Sequence, residues 1–271
     1  MDLPRPAARL LRELAALAGP EWRRVEGGLL APEWVAAGGT ERSPAPAGAA
    51  LRATPGKQSF RAHLPRGLAC LVKRHEPEAR RGRASRPPAL AALAEALFAL
   101  RLAAAGIRVP RPLAACRAGE SSWVALELVA HRGSLEEALL RDPEHVRRRL
   151  PEIARLLAQL HRAGFHHRDF YLCHLLEEEG TGALVLIDLE RVGELGARAR
   201  RWRAKDLGAL VFSLRPGLAH TSALRFLARY ARELELGRAA ARRLAAAALR
   251  VAARIARHRP RHGAPPLGLA R

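Results

Sequence analysis

Leu10, Leu11, Leu14 and Leu17 recur at helical spacing and predict a short helix over residues 5–18. Residues 36–50, "AAGGTERSPAPAGAA", are small, polar or Pro and keep no period, the pattern of a loop. "LRATPGKQSFRAHL" and "LACLVKRH" read as two strands joined at "PRG". A charged stretch, "EPEARRGRASRPP", leads through its two prolines into "ALAALAEALFALRLAAAG". There Leu90, Leu93, Leu97 and Leu100 predict a long helix that stops at Gly106. "IRVPRPLAACRAGESSWVALELVA" predicts two more short strands about a polar turn at 117–122.

Beyond residue 130 the period is helical. "GSLEEALL" opens with a Ser134/Glu137 capping box. Pro151 is read as the start of "PEIARLLAQLHRAG", whose Ile153, Leu156, Leu157 and Leu160 form a core stripe ending at Gly164. "ALVLIDLERV" is the strong strand signal of this half, and "AKDLGALVFSL" and the C-terminal residues are again helical. The expected organisation is an N-terminal helix and variable segment over 1–50, a strand-rich lobe over 51–129, and a helical lobe over 130–271.

Charge adds a preference for anions. The chain of 271 residues holds 47 Lys and Arg against 26 Asp and Glu, a formal charge of +21. Its crowding with Ala, Arg, Gly, Pro and Leu marks part of that charge as compositional bias. Aromatics make up 4% of the chain and do not interleave with basic runs, so nucleic acid is not expected as a partner. Cys70, Cys116 and Cys173 are too few and scattered for a disulfide framework. Charges at Asp2, Arg5, Arg9, Arg12 and Glu13 break any secretory h-region, and no run is apolar enough to span a bilayer. A cytoplasmic protein is the expectation, with peripheral contact to the cytoplasmic face of the inner membrane left open.

Four side chains fall in an order that suits phosphoryl transfer, where catalysis is mostly positioning and electrostatic stabilisation. Lys73, one of three lysines, ends the apolar strand "LACLVK", where its ammonium could meet phosphates. Glu95 is one of two charges in its helix and, if buried, needs a partner such as Lys73. Asp169 follows His167 and Arg168 just past a helix stop, placed to accept a proton from a hydroxyl. Asp188, 19 residues on, ends the strand of "LVLIDLE" and offers a hard oxygen ligand for Mg²⁺.

"HHRDFYLCHLL" resembles the His-Arg-Asp loop of protein kinases, except that His174 stands where they carry Asn. With "IDLERV" and "RWRAKDLGALVFSL", it closely resembles the lipopolysaccharide kinases of the Kdo/WaaP family, in which a His occupies that position. The resemblance is firm over residues 150–215 and looser over 73–129. It implies an α+β, bilobal protein-kinase-like fold and an enzyme using ATP and Mg²⁺ to phosphorylate a sugar of the lipopolysaccharide core. Lys73 would then contact the phosphates, with Glu95 holding it, and Asp169 would be the base. Asp188 would bind metal. For His174 two roles stand equal: a metal ligand, or a hydrogen bond to Asp169 or a phosphate. His167, Arg168 and Asp206 would support the catalytic loop, Asp206 from the following helix. The backbone at Glu127, Leu128 and Val129 would meet adenine, and Gly56 of "TPGKQS" is the candidate for the phosphate-covering loop, since no GxGxxG occurs. Tyr171 and Cys173 are read as packing residues.

The leading expectation is a kinase of a heptose or Kdo in the inner core, with that glycolipid as partner. The alternatives are a phosphotransferase for a protein or another small molecule, and a non-catalytic kinase-like binding protein. The C-terminal segment "RRLAAAALRVAARIARHRPRHG" is read as a helix packing through Leu244, Ala248, Val251 and Ile255, with its arginines in solvent or against anionic lipid.

Overall fold

The computed structural model describes residues 5–77 and 86–257. Part of the charged connection "EPEARRGRASRPP" and the end of the C-terminal segment lie outside them. The chain divides into two compact units, Met1–Val129 and Ala130–Arg271.

The first unit is a sheet clothed on both faces. It begins with α1 (Arg5–Ala18), the short strands β1 (Arg23–Val25) and β2 (Gly28–Leu30), and α2 (Pro32–Ala36). There follow β3 (Arg52–Thr54), β4 (Lys57–His63), β5 (Ala69–His75), α3 (Pro88–Ala104), β6 (Pro112–Ala118) and β7 (Ser121–Glu127). The seven strands lie in the order β1-β2-β6-β7-β5-β4-β3, antiparallel at every step. One face carries Leu29, Ala115, Val124 and Leu126 against Leu14 of α1 and Leu93 and Leu97 of α3. The other gathers Phe60, Val72, Leu113, Cys116 and Trp123 around Trp34 of α2.

Three expectations change here. "LRATPGKQSFRAHL" is a hairpin and not one strand: Pro55-Gly56 turn the chain between Thr54 and Lys57, with Gly56 at φ +71°. Pro followed by a positive-φ Gly is the signature of a type II turn. Leu17 is 45% exposed, because the seam of α1 runs through Ala7, Leu14 and Ala18. The hairpin β1–β2 and the five-residue α2 had no counterpart in the sequence pattern.

The second unit opens with β8 (His131–Ser134), α4 (Leu135–Arg141) and α5 (Pro143–Arg162), then β9 (Phe165–His166), β10 (Leu175–Glu178), β11 (Leu184–Leu186) and β12 (Gly193–Glu194). Three helices close it: α6 (Ala199–Leu214), α7 (His220–Glu233) and α8 (Arg238–Arg257). The capping box forms, with the Glu137 N–H donating to Ser134 Oγ at 3.2 Å and the Ser134 N–H to Glu137 Oε2 at 3.0 Å. Pro151 does not start a helix but lies inside α5. The true start is Asp142, whose carboxylate accepts the His145 N–H at 3.1 Å, followed by Pro143 in the first turn. A buried stripe on both sides of Pro151, from Val146 and Leu150 to Ile153, Leu157 and Leu160, carries the helix through the missing hydrogen bond.

Helix α8 packs through Leu244, Ala248 and Ala252. It approaches α6 at Gly208, where a Cβ would lie 2.6 Å from Val251 Cβ and 2.8 Å from the Ala248 carbonyl oxygen.

Candidate active site

In the first unit, Lys73 pairs across the sheet with Val124, which packs toward α3. Cross-strand partners share a face, so the Lys73 side chain points the same way. Its Nζ donates to Glu95 Oε1 at 2.7 Å, with Lys73 7% exposed and Glu95 fully buried. Helix α3 is apolar on nearly every side over Ala91–Ala99, which is why its single carboxylate comes with a cation.

At the end of β7 the Glu127 carboxylate is gripped by Arg108, at 3.0 and 2.9 Å, and by the Arg111 N–H at 3.0 Å. Burial pushes that carboxyl up, but the Arg108 contacts outweigh it and hold it below its ordinary value. The Glu127 N–H donates to the Arg111 carbonyl at 2.8 Å, which leaves Leu128 and Val129 as the segment beyond the strand. Gly56 sits in its two-residue turn, and its carbonyl accepts the Glu76 N–H at 2.8 Å.

In the second unit the loop from His167 to His174 joins β9 to β10. Asp206 of α6 organises its start. The carboxylate is fully buried and accepts the backbone N–H groups of His167 at 2.8 Å and Arg168 at 2.6 Å. His161 of α5 donates from Nε2 to Asp206 Oδ2 at 3.1 Å and accepts the Tyr230 hydroxyl at Nδ1, 2.6 Å away. That pattern is complete for a neutral imidazole. Burial keeps His161 below its ordinary pKa against the pull of Asp206. Burial likewise pushes the Asp206 carboxyl up, but the hydrogen bonds it accepts, from His161 first and from the His167 backbone, outweigh it and leave it lowered.

Anchored in this way, Arg168 adopts φ +73°, a left-handed conformation that turns Asp169 out of the strand direction. The loop continues through Tyr171 N–H to the Asp169 carbonyl at 2.8 Å and Leu172 N–H to Ser213 Oγ at 3.2 Å. His167 lies fully buried beneath it, donating from Nε2 to the Ile187 carbonyl at 3.0 Å. Burial lowers its pKa. Burial raises the Tyr171 phenol and the Cys173 thiol, each to about 12, which makes both inert at neutral pH.

His174 and Asp188 come together. The Asp169 carbonyl can only accept, so His174 Nδ1 donates to it at 2.7 Å, and a neutral ring then presents a bare Nε2. Nε2 faces Asp188 Oδ2 at 3.4 Å, and Asp188 stands in the left-handed region at φ +60°, with Ile187 between it and the end of β11. Two lone-pair donors converging on one partly exposed point suit a cation between them, although Mg²⁺ usually prefers an all-oxygen shell.

The loop's own carboxylate has partners that sequence reasoning missed. Arg191 Nη1 donates to Asp169 Oδ1 at 2.9 Å and to Oδ2 at 2.7 Å, and Lys205 Nζ lies 3.9 Å from Oδ1. Burial lowers the Lys205 pKa against the attraction of Asp169, and Arg191 lowers it further. The available signals were slight: Arg191 falls three residues after Asp188, and Lys205 directly precedes Asp206. His161 was visible as an apolar-stripe position, one turn after Leu157.

A sheet-rich unit followed by a helical one, with a braced His-Arg-Asp loop ahead of a strand-end Asp, defines a protein-kinase-like fold. Residues 80–230, more than half of the chain, match the Lipopolysaccharide kinase (Kdo/WaaP) family, and the chain belongs to it. Three relatives illustrate the range. The lipopolysaccharide core heptose(I) kinase WaaP of Pseudomonas aeruginosa is 44% identical over 98 residues, covering 33% of this chain and 37% of that protein. The WaaP heptose(I) kinase of Escherichia coli is 38% identical over 88 residues, 30% of this chain and 33% of that one. The 3-deoxy-D-manno-octulosonic acid kinase of Xanthomonas campestris is 37% identical over 108 residues, 39% of this chain and 43% of that one. The matched segments thus span about a third to two fifths of these relatives' lengths.

Proposed function

We propose that this protein is a kinase that transfers the γ-phosphoryl group of ATP to a hydroxyl of an inner-core lipopolysaccharide sugar, a heptose or Kdo. The observation that carries the reading is the braced, left-handed turn at Arg168. It is followed by Asp169, whose carbonyl accepts from His174, and His174 in turn faces Asp188, in a chain that belongs to a lipopolysaccharide kinase family.

Each residue has a task in that reaction. The acceptor oxygen bonds to the γ-phosphorus while the bond from that phosphorus to the β–γ bridging oxygen breaks. That electron pair leaves with ADP, and the hydroxyl proton passes to Asp169. Lys73, aligned by Glu95, neutralises the non-transferred phosphates, and the backbone at Leu128 and Val129 serves the adenine edge. Gly56 gives the β3–β4 turn its close approach to the phosphates. Asp188 and His174 would hold Mg²⁺, which when bound supplies charge neutralisation along the phosphate chain. Asp206 keeps the loop in register through two backbone hydrogen bonds.

No helix among the described residues is long and apolar enough to cross a membrane. A place on the cytoplasmic side suits a glycolipid acceptor still carried by the inner membrane. The solvent-facing arginines of α8, Arg243, Arg250, Arg254 and Arg257, suit a peripheral contact with anionic lipid there. The test is transfer of label from γ-labelled ATP to dephosphorylated core by the purified protein, beside Asp169→Ala. Incorporation should fall by about 10² to 10⁴ in the variant, the range for loss of a general base. Absence of label in the glycolipid, or equal label with the variant, would overturn the proposal.

A further inference from the structure

The loop that carries Asp169 has one permanent cation, Arg168, and no ion pair joins it to the Asp169 carboxylate among the described residues. From Asp169 to His174 it reads Asp-Phe-Tyr-Leu-Cys-His, and its Arg168 guanidinium stacks over Trp202, with Cζ 4.8 Å from the ring centroid. The positive charge at the carboxylate arrives instead from outside the loop. Arg191 comes from the single helical turn after Asp188, and Lys205 from α6. Among the described residues, Asp169 is the one carboxylate in ion-pair contact with either of them. The nearby acids have other engagements: Asp206 accepts from His161 and two backbone N–H groups, and Asp188 faces His174.

Donor geometry sharpens the imbalance. A guanidinium has five N–H donors in a rigid fork. Arg191 uses Nη1 for both of its contacts with Asp169, so the donors on Nε and Nη2 have no acceptor among the described residues. The Arg191 side chain is 42% exposed and that of Lys205 27%, so both can reach a ligand. At 3.9 Å the Lys205 ammonium is too far from Asp169 for a hydrogen bond. Two cations sharing one carboxylate in a half-desolvated place are stabilised when a second anion arrives.

We infer that Arg191 and Lys205 form the seat of the transferred phosphoryl group, contacting its equatorial oxygens as it passes to the acceptor beside Asp169. This rests on the kinase reading above. In phosphoryl transfer the charge of the moving group is spread over those three oxygens, and a planar fork with an adjacent ammonium matches that distribution. The free donors of Arg191 take the phosphoryl oxygens while Nη1 keeps Asp169 turned toward the acceptor. Lys205 supplies the point charge. The pair thus links the position of the base to the position of the group it serves.

The test uses the full chain with Arg191→Met, Arg191→Lys, Lys205→Met and Lys205→Arg, each first checked for wild-type thermal unfolding. Two readouts are taken: kcat and KM with core acceptor, and the affinities for ATP and ADP by calorimetry without acceptor. Loss of one preorganised donor to a developing charge costs about 10²- to 10³-fold in kcat. Arg191→Met and Lys205→Met are therefore expected to lose kcat in that range, with partial recovery in the conservative variants. Both should also weaken ATP about tenfold more than ADP, because the contact is to the γ-phosphate. A residue that only held Asp169 in place would leave the ATP-to-ADP ratio unchanged, and that result overturns the inference. So does kcat within threefold of wild type in both Met variants. If the wild-type protein phosphorylates no core sugar, the sugar-kinase reading falls, and the nucleotide ratio alone then decides the inference.

Discussion

A lysine ammonium 7% exposed beside a carboxylate with no exposure is stable only as a pair. Desolvating two ions costs several kcal/mol each, and the 2.7 Å contact between Lys73 and Glu95 offsets it. Removing one partner is therefore worse than removing both. Glu95→Ala is expected to destabilise the chain by about 3–5 kcal/mol, since Lys73 is left buried without that counter-charge. The double variant Lys73→Met/Glu95→Leu should recover most of the loss while remaining inactive. Denaturant unfolding of the single and double variants measures the difference, and equal destabilisation would show that the two charges do not stabilise each other as a pair. The pair was legible in the sequence because an isolated Glu in an apolar helix needs a cation and lysines are scarce. Arg191 and Lys205 were not, because nothing in a chain with 47 Lys and Arg separates two cations that fold onto one carboxylate from the rest.

Three helices and one loop are tied together by the chain Tyr230, His161, Asp206 and the His167–Arg168 backbone. Both His161 and His167 have lowered pKa values, chiefly through burial. The sign follows from linkage. Unfolded histidine binds a proton near pH 6.5, the folded groups only at lower pH, so stability is full above that value and falls as pH drops below it. The expected slope is about 1.4 kcal/mol per pH unit for each histidine in that window. The depressed Asp206 carboxyl adds a further loss only below about pH 4, where its unfolded counterpart takes up a proton. Unfolding free energies between pH 5 and 8 should show the acid decline, and His161→Gln should flatten it by about one proton; an unchanged slope would mean His161 is not neutral in the folded state. At this scale the sequence showed helices by their stripes and the capping box by its spacing. It misled at Pro151, where tertiary burial on both sides outweighs one lost hydrogen bond. It was silent on β1, β2 and β12, since two- and three-residue strands are too short to show an alternation.

The whole chain changes character from sheet to helix, and that change was visible in its hydrophobic period. The two faces of the seven-stranded sheet were not, because Trp34 enters its core from a five-residue helix with no periodic neighbours. Nor could the sequence say how α8, which lies past residue 230 and so beyond the family match, meets the helix that carries Asp206. The packing at Gly208 supplies the answer. That glycine stands two residues after Asp206 on the same helix, so a Cβ added there strains the helix that holds the proposed catalytic loop through the Asp206 carboxylate. Gly208→Ala is expected to cost about 1–3 kcal/mol by overpacking and to lower turnover as well, measurable by unfolding and by label transfer. In a library of every single substitution scored by enzyme output, position 208 should therefore stand among the sensitive positions. A map of sensitive positions drawn from such a library would mark a helix crossing as well as the residues proposed to meet substrate.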